Sequence, residues 1–136
     1  MSIPRFWRKT KARYNLIATK CNSCRNTFFP PRKICPICRR AGKLEEKKLS
    51  GRGEVVTYTV IYSASEGFEM HTPYIMGIIR LNEGPRVTAQ IVDAEIDEVK
   101  IGMKVEAAFR KISESGKDGI INYGTKFRPA GKHEEA

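Results

Sequence analysis

Four cysteines, Cys21, Cys24, Cys35 and Cys38, fall in two Cys-x2-Cys pairs separated by ten residues, and the chain has no others. Each pair lets the backbone curl so that two sulfurs meet one ion, and two such turns supply a tetrahedral set of four sulfurs. Residues 15–50 are short of core side chains, so a cross-link of this kind would have to hold them together. Two disulfides or four free thiols are the alternatives, and disulfides suit small secreted domains. Met1–Lys11 is basic with no apolar stretch behind it, unlike a secretory signal, and the chain has no apolar run long enough to cross a membrane. The expectation is therefore a cytoplasmic protein with one metal ion. Iron can occupy a four-sulfur site, as in rubredoxin; zinc is favoured because no redox-partner signal is visible. Four protein ligands leave no open position for water, so the ion is expected to be structural.

The formal charge of +10 is unevenly spread: residues 1–50 carry a net +12 and residues 51–136 a net −2. Four thiolates on one divalent ion would bring the total nearer +8. The asymmetry suggests a boundary near Ser50-Gly51. It divides the chain into an N-terminal helix (1–14), a zinc ribbon (15–50), a β-barrel (51–130) and a flexible tail (131–136).

Ile3, Phe6, Trp7, Thr10 and Tyr14 recur at helical spacing, with Ser2 as a possible cap and Pro4 in the first turn, which predicts an amphipathic helix over about 4–12. Residues 15–19 read as a strand leading into Cys21, 28–29 as a short extended segment, and 44–49 as another strand. From Gly53 the pattern turns to β, with strands expected at 54–62, 74–81, 86–92, 104–112 and 120–127. Asn82-Glu-Gly-Pro85 joins the second and third of these in a hairpin. Residues 93–100 are acidic and read as one helical turn. Val105, Ala107 and Phe109 share one side of their strand until a shift near Arg110. The whole reads as mainly β: a helix and a rubredoxin-like ribbon followed by a five-stranded OB-fold barrel, with a small sandwich as the alternative that pattern alone leaves open.

The ordered set of motifs resembles a known family. It comprises the Phe6-Trp7 helix, Cys21-Asn-Ser-Cys24, Phe29-Pro-Pro-Arg32, Cys35-Pro-Ile-Cys38, Leu49-Ser-Gly-Arg-Gly53, Val56-Thr-Tyr-Thr-Val60, Pro73-Tyr74, Leu81-Asn-Glu-Gly-Pro-Arg86, Ile101-Gly-Met103 and Phe127-Arg-Pro129. It is similar to the zinc-ribbon/OB-fold proteins associated with acyl-CoA metabolism, from about residue 3 to 130. The resemblance implies a non-catalytic partner of thiolase-like enzymes. In archaeal members it implies a bridge between acetoacetyl-CoA thiolase and HMG-CoA synthase at the start of the mevalonate route. One departure is Arg25, where the family often has glycine after the second cysteine; Arg25 has to adopt the backbone conformation glycine usually takes.

On this reading Phe6 and Trp7 are candidate anchors for a partner's groove, and Phe68, in the 63–73 loop with Gly67 and Met70, is a third. The opposing view packs Phe6 and Trp7 on their own barrel and uses Phe68 to cap its open end. Arg32, Lys33, Arg39 and Arg40 can attract the polyanionic end of CoA or another anion, or simply form a solvated face.

A nucleic-acid binder is the competing class, because ribbons and OB folds both serve it. Against it, the barrel half is slightly acidic, and Tyr58, Tyr62, Tyr74 and Phe109 are as easily core as stacking residues. An enzyme is disfavoured. His71 and His133 are the only histidines, His133 falls in the tail, His71 reads as a surface residue of a loop beside Glu66 and Glu69, and all four cysteines are committed to metal.

Overall fold

The structure, a computed structural model, describes residues 3–66, 68–114, 117 and 121–131. The side chains of Ile3, Phe6, Arg13, Ser113, Glu114, Ile121 and Asn122 lie outside what it describes, as do the expected cap Ser2, Gly67 and the tail from Lys132. The chain is mainly β, with one helix, a three-stranded sheet and a closed five-stranded barrel.

Helix α1 spans Ile3–Tyr14, slightly longer than its apolar spacing predicts. It stops because Leu16 takes a left-handed backbone (φ 50°), a helix-ending geometry usually left to glycine. The last carbonyls are still served, as both the backbone and the side-chain amide of Asn15 donate to Lys11 O at 3.2 Å. Burial of the Leu16 side chain compensates for the unfavourable backbone.

Because Asn15 and Leu16 form this turn, the first strand starts later than expected. β1 (Ile17–Cys21) lies between β2 (Thr27–Phe28) and β3 (Leu44–Lys48), antiparallel to both. The register places Thr19 opposite Phe28 and Cys21 opposite Leu44. This small sheet buries Leu16, Ala18 and Leu49 in the same core as Val55, Ile79, Leu81 and Phe127 of the barrel. The ribbon therefore shares apolar packing with the barrel.

The barrel runs β4 (Arg52–Ile61), β5 (Tyr74–Leu81), β6 (Arg86–Ile91), β8 (Ile121–Pro129), β7 (Lys104–Glu114) and back to β4. β5 alternates buried and more exposed residues, with Ile75, Ile79 and Leu81 inside. The expected β5–β6 hairpin forms through Arg80↔Arg86 to Ile75↔Ile91. A register shift between Val55 and Thr57 helps β4 bend from β5 towards β7. Gly53 is required where β4 crosses β5, since a Cβ there would collide with the Arg80 carbonyl oxygen. Closure depends on one parallel contact, Ile91↔Phe127, reinforced by Val92 N donating to Phe127 O at 2.7 Å. The single helical turn expected after β6 forms at Ile96–Glu98, capped reciprocally by Glu95 and Glu98.

β7 departs from its expected alternation. Val105 and Ala108 are buried, while Phe109 is 48% exposed on the outside, so the switch comes before Phe109 rather than at Arg110. Phe109 is held there by a stack on Tyr123 (centroids 5.3 Å apart) and an edge-on contact with Tyr14 of α1 at 5.1 Å. The exterior cluster draws Phe109 out of the core.

Candidate functional site

The four cysteines converge. Cys21 ends β1 and Cys24 lies in the turn that follows it, while Cys35 and Cys38 occupy a second turn closed by Arg39 N donating to Cys35 O at 2.9 Å. All four sulfurs lie within 4.8 Å of one another, and the Cys24 and Cys35 sulfurs are 3.6 Å apart. A tetrahedron of sulfurs about 2.3 Å from a central zinc ion has edges of about 3.8 Å, so the donor set fits such an ion. All four cysteines are free, and 3.6 Å is far beyond a disulfide bond.

The backbone around the sulfurs explains how the turns are made. Arg25 and Arg39, each directly after the second cysteine of its pair, both have left-handed backbones, at φ 62° and 52°. The glycine conformation expected of Arg25 is thus adopted, and Arg39 repeats it in the second turn. Gly42 lets the chain pass close to the site. A Cβ there would lie 2.8 Å from Cys35 Cβ and 3.2 Å from Cys38 Cβ.

The thiols differ in how readily they ionise. The Cys21 thiol is pulled down to about 6, chiefly by the backbone N–H of Cys24, which together with neighbouring donors outweighs burial. The Cys38 thiol is pushed up to about 12, first by burial and then by the crowding of Cys24, Cys21 and Cys35. One sulfur therefore gives up its proton easily, and a further negative charge in the same cluster is strongly opposed. A divalent cation among the four sulfurs is the charge that makes the fully ionised set favourable.

The other candidate residues are not gathered with the sulfurs into one pocket. Arg32, Lys33, Arg39 and Arg40 are exposed on the ribbon. Arg32 is tethered, its backbone N donating to the buried Thr19 hydroxyl at 3.0 Å and its guanidinium lying 5.6 Å from the Phe28 ring centroid. Trp7 is 66% exposed on α1, and the Phe6 side chain lies outside the described residues. Phe68 is half-buried, with its ring 6.0 Å from His71 and 6.3 Å from Tyr74. In the same region Met70 (93% exposed) and Tyr62 present more apolar surface than Phe68 does.

Two residues were overlooked by the sequence reading. Ile34 and Ile37, on either side of the buried Cys35, are both largely exposed. Ile37 carries a local signal, since a residue between two cysteines that point inward to one ion must face out; Ile34, before the pair, carries none. A further cavity of about 220 Å³ lies at the seam of α1, β3 and β7, lined by Tyr14, Leu16, Leu49, Gly51, Ala107 and Phe109 among others. No helix among the described residues is long and apolar enough to cross a membrane.

Comparison with known proteins agrees with this architecture. Residues 8–45 match the family described as ChsH2, rubredoxin-like zinc ribbon domain, and residues 46–110 match ChsH2, C-terminal OB-fold domain. A DUF35 domain-containing scaffold protein of Methanocaldococcus jannaschii is 52% identical over 127 residues, covering 93% of this chain and 90% of that protein. The benzoylsuccinyl-CoA thiolase subunit BbsA of Thauera aromatica is 29% identical over 109 residues, covering 80% of this chain and 72% of the subunit. Among solved structures, a chain of the Ltp2-ChsH2(DUF35) aldolase matches with a TM-score of 0.68 at 26% identity, covering 92% of this chain and 91% of the other. With a four-cysteine ribbon leading into a closed five-stranded barrel, and with this level of identity across nearly the full length of a relative, the chain belongs to the DUF35 family.

Proposed function

We propose that the chain is a non-catalytic scaffold that bridges acetoacetyl-CoA thiolase and HMG-CoA synthase, or accompanies a related thiolase, so that an acyl-CoA intermediate passes between active sites held close together. The observation that carries this reading is the 52% identity, over 90% of its length, to a protein described as a DUF35 domain-containing scaffold protein. The similar protein named as a benzoylsuccinyl-CoA thiolase subunit supports a place beside an acyl-CoA enzyme, and the match to a chain of an aldolase supports a role within an enzyme assembly.

The side chains favour the same reading. One zinc ion on Cys21, Cys24, Cys35 and Cys38 clamps the ribbon and has no ligand position left for chemistry. His71 is exposed and rests near the Phe68 ring, an ordinary surface setting. The work is then done by surfaces. Trp7 on α1, with Phe6 beside it in sequence, offers an apolar anchor to a partner, and Phe68 supports the loop that presents Met70. Arg32, Lys33, Arg39 and Arg40 supply a positive field that draws CoA, a polyanion, towards the assembly. Reduced thiols in a zinc site suit the cytoplasm, where this assembly would operate.

Affinity purification of the full-length chain from its native source tests the proposal. A thiolase and a synthase, identified by mass spectrometry and retained through washing, are the expected result. Recovery of nucleic acid alone, lost on nuclease treatment or in salt, would overturn it, as would turnover of an acyl thioester by the isolated chain.

A further inference from the structure

From Met1 to Leu44 the chain contains no carboxylate. The ribbon portion alone carries Lys20, Arg25, Arg32, Lys33, Arg39, Arg40 and Lys43. Among the described residues none of these enters an ion pair, whereas five cations elsewhere do. In the midst of this charge stand two aliphatic side chains that the fold leaves uncovered, Ile34 at 65% and Ile37 at 63% exposure. Ile37 lies inside the cysteine turn, whose backbone is tied by Arg39 N bonded to Cys35 O and Cys38 N lying 3.4 Å from the Cys35 sulfur, and Ile34 directly precedes that turn. Ile37 is therefore presented at little conformational cost on binding.

From this arrangement we infer that the second cysteine turn is a protein-docking knuckle. Ile34 and Ile37 enter an apolar hollow on a partner enzyme whose rim is rich in Asp and Glu, and Arg32, Lys33, Arg39 and Arg40 face that rim. The inference rests on the scaffold reading above and names the ribbon surface that grips one partner. An apolar centre within a polar rim is the usual anatomy of a specific protein interface. The cations that flank Ile34 and Ile37 in sequence would find the acidic rim through long-range attraction and reject basic surfaces.

Nucleic acid fits the same charge but not the same centre. Single strands are held by bases stacking on aromatic faces, and aliphatic side chains offer no such platform. Phe28, a ring on the same ribbon, already has the Arg32 guanidinium 5.6 Å from its centroid. A base could stack on that face only by displacing the arginine.

The test compares the full-length chain with Ile34→Asp and Ile37→Asp in capture of the thiolase-like partner. A further sample of each is treated with a carbodiimide, which joins a lysine amine to a touching carboxylate as an amide and takes up the elements of water to become a urea. The expected result is at least tenfold weaker capture by each variant, with one zinc per chain retained. A Lys33–Asp or Lys33–Glu cross-link to the partner is expected in the wild type and is lost in both variants. Ile34→Ser serves as a milder change should the aspartate variants lose metal. Wild type and variants capturing the partner equally, with no Lys33 cross-link, would overturn the knuckle while leaving the scaffold reading intact. Failure of the wild type to capture any thiolase-like enzyme, or recovery of nucleic acid in its place, would overturn both.

Discussion

The carboxylate of Glu83, in the turn between β5 and β6, accepts the backbone N–H of Ser50 at 2.8 Å, just before the chain enters the barrel. Around it Leu49 N donates to Leu16 O, Ala107 N donates to Gly51 O and Asn82 N donates to Arg52 O. The hinge between ribbon and barrel is thus bonded to both. Burial works to raise the Glu83 carboxyl, but the Ser50 N–H and hydroxyl, with Lys47 nearby, hold it below its ordinary value.

A group whose pKa is lowered by folding stabilises the fold above its unfolded value, near 4.3, and loses that contribution as pH falls through the folded value. Glu83→Ala is expected to cost about 1 kcal/mol at pH 7, the scale of one charged hydrogen bond at a partly exposed site. Urea unfolding across a pH series from 7 downwards measures this; the gap between variant and wild type should shrink as pH falls through the folded value. A gap that does not change with pH would assign the loss to packing instead.

Removing the metal should unfold the ribbon selectively. Structural zinc contributes on the order of 10 kcal/mol to comparable modules, far more than this small sheet can bury. Chelation or Cys35→Ser is expected to expose the amides of residues 17–48 to hydrogen exchange while most barrel β signal remains. The barrel midpoint should also fall, because Leu16, Ala18 and Leu49 belong to its core. Unchanged ribbon protection after verified metal loss would contradict this.

Gly42→Ala tests the close passage beside the cysteines. The added methyl would sit 2.8 Å from Cys35 Cβ and 3.3 Å from the Arg39 carbonyl oxygen, so the second turn must shift. Overpacking of this kind costs about 1–3 kcal/mol. Competition with a coloured chelator should show zinc held roughly tenfold or more weakly, with barrel stability little changed.

Phe127→Ala should open the barrel at its parallel seam. Phe127 is 1% exposed and carries the pairing with Ile91. Truncating a buried phenylalanine costs about 3–5 kcal/mol, a large share of a small domain's stability. Calorimetry would register it as a markedly lower midpoint.

Trp7→Ala separates stability from association. Its side chain is mostly exposed, so thermal stability should move by no more than about 0.5 kcal/mol. If Trp7 anchors a partner, capture of the thiolase-like enzyme should weaken by tenfold or more. A drop in stability with unchanged capture would return Trp7 to packing within its own chain.

Much of this was legible beforehand. The convergence of the four sulfurs followed from cysteine spacing, because two tight turns leave few ways to place them. β5 appeared at its expected residues because its apolar alternation matches a wall buried on one side. Boundaries slipped where conformation depends on a neighbour: Leu16 adopts a left-handed turn that leucine alone would not favour, and its burial makes that affordable. Alternation, a local rule, groups Phe109 with Val105 and Ala107, whereas its stack on Tyr123 and contact with Tyr14 join three separate elements.

The sequence by itself determined the four-sulfur site, the concentration of positive charge in the ribbon, and the strands that build the barrel. Each follows from spacing or periodicity within a short stretch of chain. Only the tertiary structure decided that the barrel closes through Ile91 and Phe127, that Glu83 secures Ser50, and that Ile34 stands uncovered beside cations that make no ion pair among the described residues. Those relationships bring together residues tens of positions apart, or depend on what the folded chain leaves bare, and no local pattern encodes either.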